Sequence, residues 1–303
     1  MKFTTNTPLD VILHGLFTPY ANRVPDVKAI TSAMIKKGII KKQSDIVNDH
    51  IAFRTLGVPH LGIQSLERIF LHHGYTKQDH YFFSKKRLDA HWYKPPSEQY
   101  PRVFISELRV NELSSQATDI LKKYTKNITH DPLNDVDLDD AQAVVAFLHQ
   151  PLWTIPTWSD YKTLLTETEY GAWVLYNRYY LNHYTISVHA LPEPYNQLEV
   201  FNEFLKSLGV QLNNSGGEIK TSADGLLMQS SSVAQMIDSV FADGDMHSIA
   251  GSYVEFAERS VLPQFSLLRN NDITSAHRRD GFEVNSADKI FESTFQKQTA
   301  RKP

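Results

Sequence analysis

The 303-residue chain contains no cysteine. That absence excludes thiol nucleophiles, disulfides, iron–sulfur clusters and thiolate zinc sites, so any metal must be held by His, Asp or Glu. No run of about 18 apolar residues occurs, which argues against a membrane-spanning helix. Cationic excess is missing too. The 31 Lys and Arg stand against 34 Asp and Glu, a net charge of −3, so neither nucleic acid nor an anionic membrane is expected as a partner. There is no HExxH, GxSxG or Walker pattern, and a hydrolase built on a serine nucleophile has nothing to rest on. "NNSGGE", residues 213–218, has turn composition without phosphate-loop spacing. Residues 1–10 are polar and lack a basic start followed by an apolar core, so no secretory signal is expected and the location is expected to be cytoplasmic.

What is present is an ordinary globular balance, 41% hydrophobic and 21% charged, on a chain long enough for a large core. Leu9, Ile12, Leu13, Leu16 and Phe17 follow helical spacing, and Pro25 opens a second helix, so 9–37 reads as two helices. "NDHIAFRTL", 48–56, alternates as a strand. "GIQSLERIFLHHG", 62–74, is an amphipathic helix stopped by Gly74. Strands are expected at 75–84, 87–94 and 101–110. Residues 114–176 read as mainly helical, a spacer or lid. The order strand, helix, three strands then returns: 179–191, a helix at 196–209, and strands near 217–221, 225–231 and 251–258. In the tail, Ser286 is expected to cap a short helix that turns Ala287, Ile290, Phe291 and Thr294 inward, and the last few residues are expected to fray.

The chemistry lies in the polar strand faces. Side chains alternate across a strand, so His50, Ala52, Arg54 and Leu56 share one face while Ile51, Phe53 and Thr55 share the other. In "HYTISVH", His183, Thr185, Ser187 and His189 lie together. "SYVEFAER" groups Tyr253, Glu255 and Ala257, and "VFISELRV" groups Ile105, Glu107 and Arg109. Each module therefore opens on a strand bearing His and closes on one bearing Glu, 57 residues apart for His50 and Glu107 and 72 for His183 and Glu255, lengths that suit one βαβββ unit each. If these strands line a shared cavity, imidazoles and carboxylates converge there. Two imidazoles and one carboxylate on one side of a metal suit non-haem Fe(II), and the same donors also hold Zn²⁺ or Mn²⁺. Glu107 is a candidate fourth ligand or neighbouring group. Glu258 and Arg259 read as the solvated end of their strand, His189 as a candidate outer partner of the site, and His72-His73 as a helix end suited to cationic side chains.

On these residues the chain resembles the 2-oxoadipate dioxygenase/decarboxylase family, whose fold is related to the vicinal oxygen chelate, or glyoxalase-like, proteins. The anchors are His50-Ala-Phe-Arg54, Asn182-His183, "YVEFAER" and "GFEVNSADKIFEST". The resemblance implies an α+β fold in which two βαβββ modules form a β-barrel around a metal. It is expected as a single metal-enzyme domain: a helical N-terminal part (1–46), a first module (47–113), a helical insertion (114–178), a second module (179–260) and a tail loop and helix (261–303). It implies His50, His183 and Glu255 as metal ligands and Arg54 as the partner of a substrate carboxylate. Asn285 and Ser286 match a stretch that holds substrate together with His50 and Arg54. The implied cofactor is Fe(II), with Zn, Ni or Mn able to occupy the site in a purified sample. The implied reaction is the O₂-dependent decarboxylation and hydroxylation of a 2-oxo acid, 2-oxoadipate to 2-hydroxyglutarate or a close analogue, in lysine breakdown. The alternative on the same scaffold is a glyoxalase-like isomerase or metal hydrolase, for which Glu107 would complete a fuller, redox-inactive ligand shell. A binding protein without catalysis is a third reading.

Overall fold

The structure is a computed structural model and describes residues 6–301. The start of the polar N-terminal segment and the last two residues, where fraying was expected, lie outside the described residues. Thr7 caps the first helix with a reciprocal pair of bonds to Asp10, so α1 (Pro8–Arg23) begins where the apolar spacing begins. It is followed by α2 (Pro25–Lys36), β1 (Asn48–Leu56), α3 (Ile63–His72), β2 (Thr76–Phe83), β3 (Leu88–Lys94) and β4 (Arg102–Leu108). Four helices come next: α4 (Ser115–Thr125), α5 (Ala141–His149), α6 (Trp158–Glu167) and α7 (Glu169–Asn177). The second half runs β5 (His183–Ser187), α8 (Leu198–Ser207), β6 (Lys220–Thr221), β7 (Leu227–Ser231), β8 (Met236–Val240), β9 (Met246–Ala250) and β10 (Tyr253–Arg259). The tail carries α9 (Val284–Ile290) and α10 (Gln296–Thr299). Among the described residues no helix is long and apolar enough to cross a membrane.

Eight of the described strands form one sheet in the order β2-β3-β4-β1-β5-β10-β7-β6. Its halves repeat one plan: the first strand of each module lies inside, parallel to the last, and the middle strands lie outward. The halves join where β1 runs antiparallel to β5, so the two histidine-bearing strands become central neighbours. The sheet curls into a half-barrel, and α9 packs against β2 at one edge and against β6 and β7 at the other. The opposite face packs under helices. The rings of Phe17 and Tyr184 meet edge to face at 5.2 Å, and Phe53 lies 5.6 Å from Phe70 of α3.

Three local expectations change. The strand expected over 179–191 ends at Ser187, and a 3₁₀ turn over Val188–Ala190 takes His189 off the face of His183. A second sheet, the hairpin β8–β9, interrupts the second module. Its turn contains Asp243-Gly244 with Gly244 at φ +85°, a hairpin signal present in the sequence. Finally, α9 begins at Val284 with Glu283 in the cap position, so Ser286 sits inside the helix, buried, and is not its cap.

Candidate metal centre

Strand register assembles the site. On the β1–β5 seam Ala52 faces His183, and on β5–β10 Tyr253 faces His183 while Thr185 faces Glu255. His50, His183 and Glu255 thus project from three adjacent strands and are 2%, 6% and 1% exposed. The two Nε2 atoms are 3.4 Å apart, and Glu255 places one oxygen 3.5 Å from His50 Nε2 and the other 3.0 Å from His183 Nε2. Among the described residues this is the group whose donors converge as a metal site would require.

The donor chemistry fits a cation. His50 Nδ1 lies 2.8 Å from Asp49 Oδ1, and His183 Nδ1 lies 3.0 Å from Asn182 Oδ1. Each of these oxygens accepts the Nδ1 proton, which leaves both Nε2 lone pairs aimed at one point beside a carboxylate. Three acceptors facing one another in a dry interior repel unless a cation lies between them. Donors about 2.1 Å from a common ion stand roughly 3.0–3.4 Å apart, close to the spacings seen. Gln229 Nε2 donates to Glu255 Oε1 at 2.7 Å, and the Thr185 hydroxyl lies 3.0 Å from His50 Nε2.

Protonation follows the surroundings. Burial opposes ionisation of Glu255, but the two imidazoles outweigh it and hold its carboxyl well below the usual range. Burial likewise disfavours the charged form of His50, yet Glu255 and Asp49 on its two sides raise its pKa. For His183 burial wins over Glu255 and the pKa falls.

Behind this set lies a layer that strand-end reasoning missed. Arg259 is 2% exposed rather than solvated: its Nε and Nη2 grip Asp49 at 2.6 and 2.9 Å. Glu258 is half-buried and accepts the Leu198 amide at the start of α8. His189 accepts the Arg259 amide at Nδ1, 3.2 Å away, and burial depresses its pKa to about 4. The signal available in the sequence was the Asp or Asn immediately before each His.

Glu107 stands elsewhere. It pairs with Thr55 across β1–β4, on the face opposite His50 and Arg54, and accepts the Ile63 amide at 2.8 Å. Burial raises its pKa. Glu255 lies two residues beyond the strand partner of His183, and the residue two beyond the partner of His50 is Phe104. A phenyl ring therefore occupies the place where a second carboxylate would complete a two-His, two-Glu shell.

A small, partly open cavity adjoins the three donors. It is lined by Ala52, Arg54, Phe104 and Ser106 from β1 and β4, Gln229, Tyr253 and Asn182 from the second half, and Phe282, Ala287, Ile290 and Phe291 from the tail. No residue of 114–178 lines it, so its roof is the tail rather than the helical insertion. Arg54 is buried, donates to Thr294 Oγ1 and to the Phe291 carbonyl at 2.8 and 2.9 Å, and rests near the rings of Tyr170 and Trp173. Asn285 is exposed, and neither it nor Ser286 lines the cavity: the helical period of α9 turns Ala287 and Ile290 inward instead. Arg54 Nε, Tyr253 Oη, Asn182 Nδ2 and Gln229 Oε1 are buried without a hydrogen-bond partner.

A curled sheet of paired modules, with two histidines and one carboxylate buried together at its centre, is the fold of the glyoxalase-like class. A glyoxalase-superfamily protein from Ralstonia eutropha shares this fold, with a TM-score of 0.71 at 21% identity over 91% of this chain and 87% of that one. The family model for 2-oxoadipate dioxygenase/decarboxylase matches residues 12–270, and the chain belongs to that family. It is 43% identical to an Arabidopsis thaliana 2-oxoadipate dioxygenase/decarboxylase over 96% of this chain and 78% of that protein. It is 45% identical to one from Oryza sativa subsp. japonica over 85% of this chain and 71% of that protein. The crystal structure of the hydroxyglutarate synthase from Oryza sativa in complex with 2-oxoadipate superposes with a TM-score of 0.87 at 41% identity, over 96% of this chain and 93% of that one. The expected cytoplasmic location is overturned here: the two plant relatives are named chloroplastic and chloroplastic/amyloplastic.

Proposed function

We propose that this chain is an Fe(II)-dependent dioxygenase/decarboxylase that converts 2-oxoadipate and O₂ to 2-hydroxyglutarate and CO₂, a step of lysine breakdown. The observation that carries the reading is the convergence of two imidazole lone pairs and one carboxylate on a cavity where several further buried polar atoms lack partners. His50, His183 and Glu255 would hold the metal from one side, leaving the other side to ligands. A bound Fe(II) supplies Lewis acidity toward the 2-oxo acid and one-electron chemistry with O₂.

The protein's share is position and dryness. Asp49 and Asn182 fix both imidazoles in the tautomer that presents Nε2. Gln229 engages one oxygen of Glu255, which turns the other toward His183. Arg54 offers its unpartnered Nε, and Tyr253 and Asn182 offer further donors, to the oxygens of a small acid; a guanidinium suits a carboxylate. Phe104, Phe282 and Phe291 wall out water. With Phe104 where a second carboxylate would stand, the isomerase or hydrolase alternative loses the feature that motivated it.

The test is an oxygen electrode with anaerobically reconstituted Fe(II) protein and a panel of 2-oxo acids. Uptake of O₂ matched by CO₂ release, greatest with 2-oxoadipate, is expected. Absence of uptake across the panel overturns the reading.

A further inference from the structure

The two imidazoles of the centre are backed unequally. Behind His183 stands a neutral amide, Asn182, 3.0 Å away, whose own Nδ2 has no partner. Behind His50 stands a carboxylate, Asp49, 2.8 Å away and fully buried. That carboxylate is gripped at both oxygens by Arg259, at 2.6 and 2.9 Å. Arg259 is fixed in turn by the carbonyls of Gly281 and Arg279 at 2.8 and 3.1 Å. Arg102 adds a second guanidinium 3.7 Å from Asp49. The arrangement ties β1, β10 and the tail together behind one metal ligand only.

We infer that Asp49, clamped by Arg259, is a positioning residue that places a full negative charge behind His50 and makes it the stronger of two unequal imidazole ligands. An amide oxygen at Nδ1 fixes tautomer and ring angle. A carboxylate does the same and also raises the electron density that Nε2 presents to a cation. The guanidinium fork holds both carboxylate oxygens, so the aspartate cannot turn away from the ring. The inference rests on the proposed metal reading of His50, His183 and Glu255. The competing explanation is that Asp49–Arg259 is a structural ion pair whose removal costs stability and leaves the metal unaffected.

The experiment uses Co(II) as probe on the full chain, with affinity from competition against a chromophoric chelator, the visible Co(II) bands, and melting of the metal-free protein. The double variant Asp49→Asn/Arg259→Met keeps an oxygen at the His50 Nδ1 proton, removes the charge, and leaves no buried guanidinium unpaired. Its Co(II) affinity is expected to fall about 10–100-fold with a shift of the visible bands. The reciprocal variant Asn182→Asp puts a charge behind His183 and is expected to tighten Co(II) about 10-fold. Affinity and bands unchanged in a folded double variant overturn the inference. If that variant fails to fold, Asn182→Asp decides alone, and an unchanged affinity there overturns it. A parent chain that binds no Co(II) refutes the metal reading itself and this inference with it.

Discussion

Replacing Arg54 by Lys separates the roof of the cavity from its metal centre. The buried guanidinium makes two charge-assisted bonds that no single ammonium can span, to Thr294 Oγ1 at 2.8 Å and to the Phe291 carbonyl at 2.9 Å. It also lies 5.1 and 5.2 Å from the rings of Tyr170 and Trp173. Arg54→Lys forfeits one charged hydrogen bond, about 1.5–3 kcal/mol, and part of the cation–π attraction, about 0.5–1 kcal/mol. The expected loss of about 2–4 kcal/mol is a sizeable share of ordinary domain stability and lowers Tm by roughly 3–6 °C. Because both hydrogen-bond partners of the guanidinium belong to the tail, amide exchange should speed up over residues 290–295 before it does so in the sheet. Under the proposed function KM for the 2-oxo acid should rise at least about 10-fold, as the free Nε donor is lost. None of these contacts reaches the three donors, so Co(II) affinity should stay within about threefold. Denaturation, hydrogen exchange and chelator competition on one preparation decide the matter. A folded variant that has lost the metal, or one whose tail exchange and Tm match the parent, refutes the division of roles.

His183→Ala should abolish metal binding, exceeding the 10–100-fold effect of an outer partner, while far-ultraviolet circular dichroism stays native. Gly62→Ala should destabilise by about 2–4 kcal/mol in urea titration: Gly62 sits at φ +82°, and an added Cβ would meet Glu107 Oε2 at 2.0 Å, forcing that carboxylate off the Ile63 amide. His189 is held with a pKa of about 4, below the free imidazole value, so its neutral form stabilises the fold. That contribution is fully present above about pH 6.5 and is lost as pH falls through about 4, up to about 3 kcal/mol and less for its partial exposure. The gap in unfolding free energy between the parent and His189→Gln should therefore shrink from pH 7 to pH 4, and a constant gap would contradict it.

Most elements were legible because their causes are local. Period-two alternation marked β1 and β10, helical spacing marked α1, and Gly74 stopped α3. The same alternation put His50, His183 and Glu255 on strand faces opposite their apolar neighbours. It cannot say which face of one strand meets which face of another. Grouping Glu107 with Ile105 was right for β4 alone, but the β1–β4 register turns Phe104 and Ser106 toward the cavity and leaves Glu107 at the start of α3.

By itself, then, the order of residues determined most of the strands and helices, the doubled module plan and the polar strand faces that carry His50, His183 and Glu255. Only the tertiary structure decided that β1 and β5 lie antiparallel at the centre, that Arg259 turns inward to Asp49, that Asn285 faces solvent, and that the tail roofs the cavity. The physical reason is range. Backbone preference and hydrophobic period act over a few residues, whereas pairing, register and burial depend on partners as far apart as Asp49 and Arg259, 210 positions along the chain.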